Sequence, residues 1–275
     1  MDNTWLTIET KDGELVVTKC AQEAKDEIVV PEGVSVIDNA AFRKCRSITS
    51  VVLPDSVISI GDKAFLGCSD MERIILPNSL KKIGNNCFAF CKSLTAIKIP
   101  KSITEIGICI LNYCPKLFSI IVDRENEFYD SREGCNAIIE TKSNKLICGC
   151  NNSFIPDSIA VIEDAAFDGC KEMSSISIPT SVKEIGIDAF HNCEKLEEVA
   201  LHKDLSIIYE NAFDNCISLC KISILNLSLA FNILQNFDDY FYGVNHSKCT
   251  LILPHEIDPY LIRKYIKGFY CVQYE

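Results

Sequence analysis

Cys148-Gly149-Cys150, with Cys135 shortly before it, is the first stretch in which chemistry could reside. Two cysteines spaced by two share one face of a strand, an acceptable geometry for zinc ligands. A zinc site also wants a second pair, or histidines, at finger spacing, and the segment offers neither. The triplet therefore reads as buried strand cysteines. His191, His202, His246 and His255 form no H-E-x-x-H pair, and neither a G-x-S-x-G elbow nor a glycine-rich phosphate loop is present. Asp123, Glu125, Glu127, Asp130 and Glu133 put carboxylates at a spacing that suits calcium. EF-hand spacing is missing, however, and Arg124 and Arg132 interleave, so the stretch reads as an ion-paired surface loop. Asn151-x-Ser153, Asn226-x-Ser228 and Asn245-x-Ser247 match the glycosylation triplet, which matters only in a eukaryotic secretory protein. No catalytic, cofactor-binding or metal-ligating residue is assigned, and the chain is read as a non-enzyme. A Cys–His pair meeting only in space, or a metal centre within residues 123–150, stands as the alternative.

The elements that must carry these residues follow from a 23-residue period. Pro31, Pro54, Pro77 and Pro100 are spaced by 23, as are Pro156, Pro179 and His202. Eleven positions after each stand Phe42, Phe65, Phe88, Leu111, Phe167, Phe190 and Phe213. Fourteen positions after each stand Cys45, Cys68, Cys91, Cys114, Cys170, Cys193 and Cys216. An apolar column (Val34, Val57, Leu80 and their equivalents) and an isoleucine column (Ile37 through Ile208) complete the unit. Alternating pairs such as Ile74 and Leu76 predict a short strand with one buried face, ended by the following proline. The A-F-x-x-C-x-x-L segment predicts one helical or 3-10 turn, with Gly61, Gly84, Gly107 and Gly186 at the corner between the pieces. One unit cannot bury its own apolar face, but stacked units can, with their strands in parallel. The expected fold is a right-handed β-solenoid of about eight coils with terminal caps.

This combination of I-x-I-P, I-G, A-F, C and L at fixed offsets closely resembles the BspA-like class of leucine-rich repeat, over most of the chain from Ile28 to Pro254. The resemblance implies a leucine-rich repeat solenoid and, by analogy with surface and secreted relatives, adhesion or host interaction. It implies no specific activity. The segment from Asp123 to Ile139 also resembles an insertion that recurs in this repeat class.

The domain organisation read from these patterns has three parts. Residues 1–27 form a capping β-hairpin with an Asp12-Gly13 turn. Residues 28–254 form the solenoid, with an insertion-bearing coil at 123–155. Residues 255–275, with Asp258-Pro259 opening a short helix, form the C-terminal cap. The formal net charge of −11 argues against nucleic acid and against an anionic membrane surface. No apolar run is long enough to span a membrane, and the N-terminus lacks the basic start and apolar core of a signal peptide. Parallel column cysteines cannot turn toward one another, so reduced buried thiols are expected, which favours a reducing environment. The functional expectation is a monomeric, non-catalytic scaffold that binds a protein or glycan partner along its repeat surface. A structural spacer without a saturable ligand is the rival reading.

Overall fold

The structure is a computed structural model and describes residues 5–265 and 268–275. The chain is a β-solenoid of about eleven turns with few helices, rather than about eight. The additional turns lie where the motif is degenerate. Glu14–Cys20 pairs in parallel with Val34–Ile37 ahead of the first full motif. Thr250–Leu253 and Cys271–Tyr274 stack in parallel after Lys221–Ile224. Backbone contacts divide the chain into two compact units, Met1–Lys142 and Ser143–Glu275.

In the first unit each coil contributes two short strands, one more than the sequence predicts. The added strand carries the isoleucine column. Val34–Ile37, Ser59–Ile60, Lys82–Ile83 and Glu105–Ile106 pair in parallel, so that Ile37, Ile60, Ile83 and Ile106 align one above another. Lys25–Val29, Ser47–Val52 and Arg73–Ile75 form a second parallel sheet, and Ala96–Ile99 pairs in parallel with Ser119–Val122. The N-terminal hairpin, Leu6–Lys11 against Glu14–Cys20, closes through Asp12 (φ 50°) and Gly13 (φ 84°). Two consecutive positive φ values make this the turn that matches strand twist.

The A-F-x-x-C segment makes the third side of the coil. Its i→i+3 bonding is that expected of a 3-10 turn: the amides of Ala64, Leu66 and Cys68 donate to the carbonyls of Gly61, Lys63 and Phe65. Positive φ at two positions per coil (Lys63 57°, Gly67 75°) divides the run into three separate turns. The intervening amides of Lys63, Phe65 and Gly67 leave their own coil and donate to Asn85, Cys87 and Ala89 of the next, at 2.8–2.9 Å. The same alternation recurs at Ala40, Phe42 and Lys44, and in the second unit at Ala165, Phe167 and Gly169.

Inside these walls the phenylalanines stack as a continuous column. Phe42, Phe65 and Phe88 lie 4.8 and 5.6 Å apart, all fully buried. The column cysteines are buried beside them, and three of their thiols donate to the phenylalanine carbonyl of the preceding coil: Cys68 to Phe42, Cys91 to Phe65 and Cys114 to Phe88, at 3.1–3.2 Å. Cysteine thus serves as a small apolar residue that also satisfies a buried acceptor.

The corner glycines act through clearance. A Cβ on Gly84 would lie 2.5 Å from the backbone nitrogen of Asp62 and from the carbonyl carbon of Gly61. Coils approach this closely because Asx side chains bridge them: the amides of Asp62, Asn85 and Ile108 donate to Asn39, Asp62 and Asn85 Oδ1 at 2.7–2.9 Å. Gly84→Ala is expected to cost about 1–3 kcal/mol, because backbone must move away from backbone. Urea denaturation reads this directly, and an unshifted midpoint would contradict the corner geometry.

The second unit repeats the plan. Lys145–Cys148, Val161–Ile162, Glu184–Ile185 and Ile207–Ile208 pair in parallel, beside the sheet that begins with Glu198–Leu201 and Lys221–Ile224. Phe167, Phe190, Phe213 and Phe241 stack at 5.0–5.3 Å. Phe241 keeps the column although the helix Leu227–Gln235 intervenes in the chain. Asn226 caps that helix by accepting from the Leu229 amide at 3.0 Å. Pro259–Tyr265 is helical, as the sequence predicts, and Cys271–Tyr274 is the last strand.

Candidate functional site

The break in the period builds the most developed surface feature of the first unit. Beyond Ser119–Val122 the chain leaves the regular path at Asp123 and returns as Tyr129–Asp130, antiparallel to Ile138–Glu140. Asn126 ties the excursion down. Its Nδ2 donates to the carbonyls of Pro100 and Ile103, each at 3.0 Å, and its Oδ1 accepts from the Phe128 and Tyr129 amides at 2.8 Å. The Tyr129 hydroxyl accepts from the Ile106 amide at 3.1 Å. Ser131 Oγ accepts from the Val122 amide and donates to the Ala137 carbonyl. None of these anchors was singled out from the sequence, since an asparagine in a polar loop gives no local sign that four backbone groups converge on it.

Three of the five acidic residues of this loop, Asp123, Glu125 and Asp130, are ion-paired, two of them by lysines rather than by the interleaved arginines. Asp123 meets Lys98 at 3.1 Å and Glu125 meets Lys101 at 2.7 Å, both lysines belonging to the preceding coil. Only Asp130 uses a loop arginine, Arg132, at 2.6 Å. Burial raises the Asp130 pKa, yet the hydrogen bonds from Arg132 outweigh it and hold the carboxyl below its usual range. Glu133, at φ 60°, and Gly134 turn the chain at the rim. A groove of about 690 Å³ remains, lined by Ile121, Arg124, Asp130, Arg132, Glu133 and Asn136. Ile121 is half exposed. The groove offers an apolar floor with charges of both signs.

The other residues singled out from the sequence are placed as follows. Cys135, in the first unit, is fully buried, and burial pushes its thiol up to about 11. In the second unit Cys148 and Cys150 are also buried, and burial raises the Cys150 pKa. A raised thiol pKa disfavours the thiolate that nucleophilic or metal chemistry requires. Gly149 lies against the Phe167 ring, where any Cβ would collide with it. Among the described residues, no three His, Cys, Asp or Glu side chains gather where they could hold a metal ion. Of the glycosylation triplets, Asn226 is the helix cap and also donates Nδ2 to the Lys203 carbonyl, and Asn151 Oδ1 accepts from the Glu172 amide.

His202 occupies the proline column, and burial lowers its pKa. His246 stacks on Phe269 at 4.6 Å, and the amide of His255 donates to the Glu275 carbonyl. His191 stands 3.1 Å from the Asp168 carboxylate. That contact raises its pKa, with Asp188 and Asp214 adding to the effect. A raised folded-state pKa contributes stability below the unfolded value of about 6.5, which is lost as pH rises through the folded value. His191→Gln is therefore expected to lose about 0.5–1 kcal/mol relative to the parent chain at pH 5.5. The gap should close by pH 8 in urea melts; a gap that widens with pH would contradict the pairing.

The profile of the BspA type leucine rich repeat region matches residues 20–132 and 138–253 in six copies. Solved structures share the fold. A leucine-rich repeat protein from Eubacterium ventriosum superposes with a TM-score of 0.62 at 18% identity, covering 98% of this chain and 83% of its own. One from Bacteroides ovatus gives 0.59 at 20% identity, covering 100% and 76%. The pneumococcal vaccine antigen PcpA gives 0.57 at 15%, covering 100% and 98%. No curated protein matches the chain.

Proposed function

The chain belongs to the BspA-type leucine-rich repeat family, and from that premise we propose that it is a non-catalytic binding protein that presents its repeat surface to a protein or glycan partner. The observation that carries this reading is the groove beside residues 123–136, where a regular, self-satisfied backbone is interrupted by a tightly anchored loop. The loop leaves Ile121, Arg124 and Glu133 around an open concavity. Loops held on a rigid scaffold are where recognition concentrates. Many modest contacts along successive coils add to it. The protein acts as a monomer, without nucleic acid and without membrane insertion, and its role is adhesion or host interaction.

The test is a screen of the immobilised chain against extracellular-matrix protein and glycan arrays. At least one saturable partner is expected, and Ile121→Ser/Arg124→Glu should weaken it tenfold or more while leaving the melting profile intact. Both positions are on the surface, so the fold tolerates them. No saturable partner on either array would leave the spacer reading in its place. Binding insensitive to the double substitution would move recognition away from the loop.

A further inference from the structure

The wall of turns in the first unit presents an outward column at positions 44, 67, 90 and 113, one residue from each successive coil. All four are held at positive φ: Lys44 62°, Gly67 75°, Phe90 61° and Tyr113 57°. Bulky aromatics are rare in this region. Phe90 and Tyr113 nevertheless stack face to face, 4.5 Å between centroids and 3° between planes. Phe90 is 41% exposed. The next place in the column belongs to Gly67, which carries no ring. A Cβ there would meet only the side chain and Cα of Lys44, at 3.5 and 4.0 Å. The vacated place is a cavity of about 480 Å³ bounded by Phe90, Gly67, Ser69, Lys44, Arg46 and Lys92.

We propose that this slot binds a six-membered ring bearing a carboxylate, a uronic acid residue of an anionic glycan, stacked on Phe90 as the next ring of the column. The chemistry of the walls selects it. Phe90 supplies a flat apolar face for the C–H side of a sugar ring. Lys44, Arg46 and Lys92 put three cations around the slot on a chain whose net charge is −11. One carboxylate stands beside the floor, Asp70, which accepts from Ser69 Oγ at 3.2 Å. A cationic ligand is repelled by the three basic side chains, and a free phosphate makes no use of the ring. A peptide strand is disfavoured as well, because peptides are commonly held by unpaired main-chain groups. Here the amides of Lys44, Leu66 and Gly67 already donate to Leu66, Lys63 and Ala89. The proposal rests on the reading of the chain as a binding protein and adds the ligand class.

Calorimetric titration of the full chain with tri-galacturonate tests it, with neutral galactotriose and a phosphotyrosine peptide as parallel arms. Saturable binding of the uronate alone is expected, weakening with added salt as exposed charges are screened. Phe90→Ala and, separately, Lys92→Gln should each weaken it at least tenfold. Gly67→Phe should abolish it by filling the slot. Lys92 is on the rim, so its variant keeps the test valid should Gly67→Phe fail to fold. Equal binding of the neutral trimer, tighter binding of the phosphopeptide, indifference to Lys92→Gln, or no saturable heat overturns the proposal. If the uronate fails while a partner from the array screen is still lost with Ile121→Ser/Arg124→Glu, the ligand class falls and the binding reading stands.

Discussion

Phe190→Ala is expected to lower the unfolding free energy by about 3–5 kcal/mol, the range for truncating a fully buried phenylalanine. The ring sits between Phe167 and Phe213, 5.0 Å from each and within 5° of parallel. Its removal opens a gap bounded above and below by two rings that cannot close on it. Their backbones are fixed by hydrogen bonds: the amide of Phe167 donates to the Ala189 carbonyl and that of Phe213 to the Tyr240 carbonyl. Each lost stacking contact adds about 0.5–1.5 kcal/mol beyond the buried area. Phe190→Leu, which keeps most of the volume, should recover more than half of the loss. Equilibrium urea unfolding followed by circular dichroism measures both variants. A loss below about 1 kcal/mol for the alanine variant would mean that the column does not support its coil.

A second large effect concerns alkaline pH. Burial raises the thiols of Cys68, Cys91 and Cys114, the last to about 12. In the unfolded chain these groups release their protons near pH 8.5. The fold keeps them neutral well beyond that point, so stability is intact below about pH 8.5 and falls as pH rises toward the folded values. Each such thiol contributes about 1.4 kcal/mol per pH unit in that window. Three together give a slope of roughly 4 kcal/mol per unit, enough to unfold a typical domain within two or three units. The variant with Cys68, Cys91 and Cys114 all replaced by alanine should be less stable at pH 7. It loses packing and the thiol donors to Phe42, Phe65 and Phe88. Above pH 9 its stability should fall more slowly than that of the parent. Parallel slopes for the two proteins would show that the column thiols are not the groups that titrate.

The columns that the sequence makes legible are those in which a residue type is dictated by the interior: phenylalanine, cysteine, isoleucine and the corner glycine. The Asp12-Gly13 turn and the helix opened by Asp258-Pro259 are legible for the same reason, since local chemistry there agrees with the fold. The positive-φ columns are not. Gly67 and Gly169 announce them, but Ala40, Lys44, Lys63, Phe90 and Tyr113 adopt the same conformation because neighbouring coils impose it. Local propensity carries no trace of that override. The helix Leu227–Gln235 did leave a signal, an asparagine cap followed by buried Leu229, Ala230, Ile233 and Leu234. The same asparagine also opens an Asn-x-Ser triplet, so its type alone does not single out the cap. The insertion was visible as a break in period, whereas its groove was not. The Asn126 side-chain amide nitrogen reaches carbonyls 26 and 23 residues away, and Ser131 reaches backbone groups 6 and 9 residues away.

The alternation of amides along the turn wall carries a consequence for how the protein breathes. Ala64, Leu66 and Cys68 are protected by their own coil, whereas Lys63, Phe65 and Gly67 are protected only while the next coil stays in place. In deuterium exchange these two interleaved sets measure different events, the opening of a single turn and the parting of adjacent coils. Residues one position apart in sequence therefore act as separate gauges, and a ligand that clamps several coils should slow the second set far more than the first.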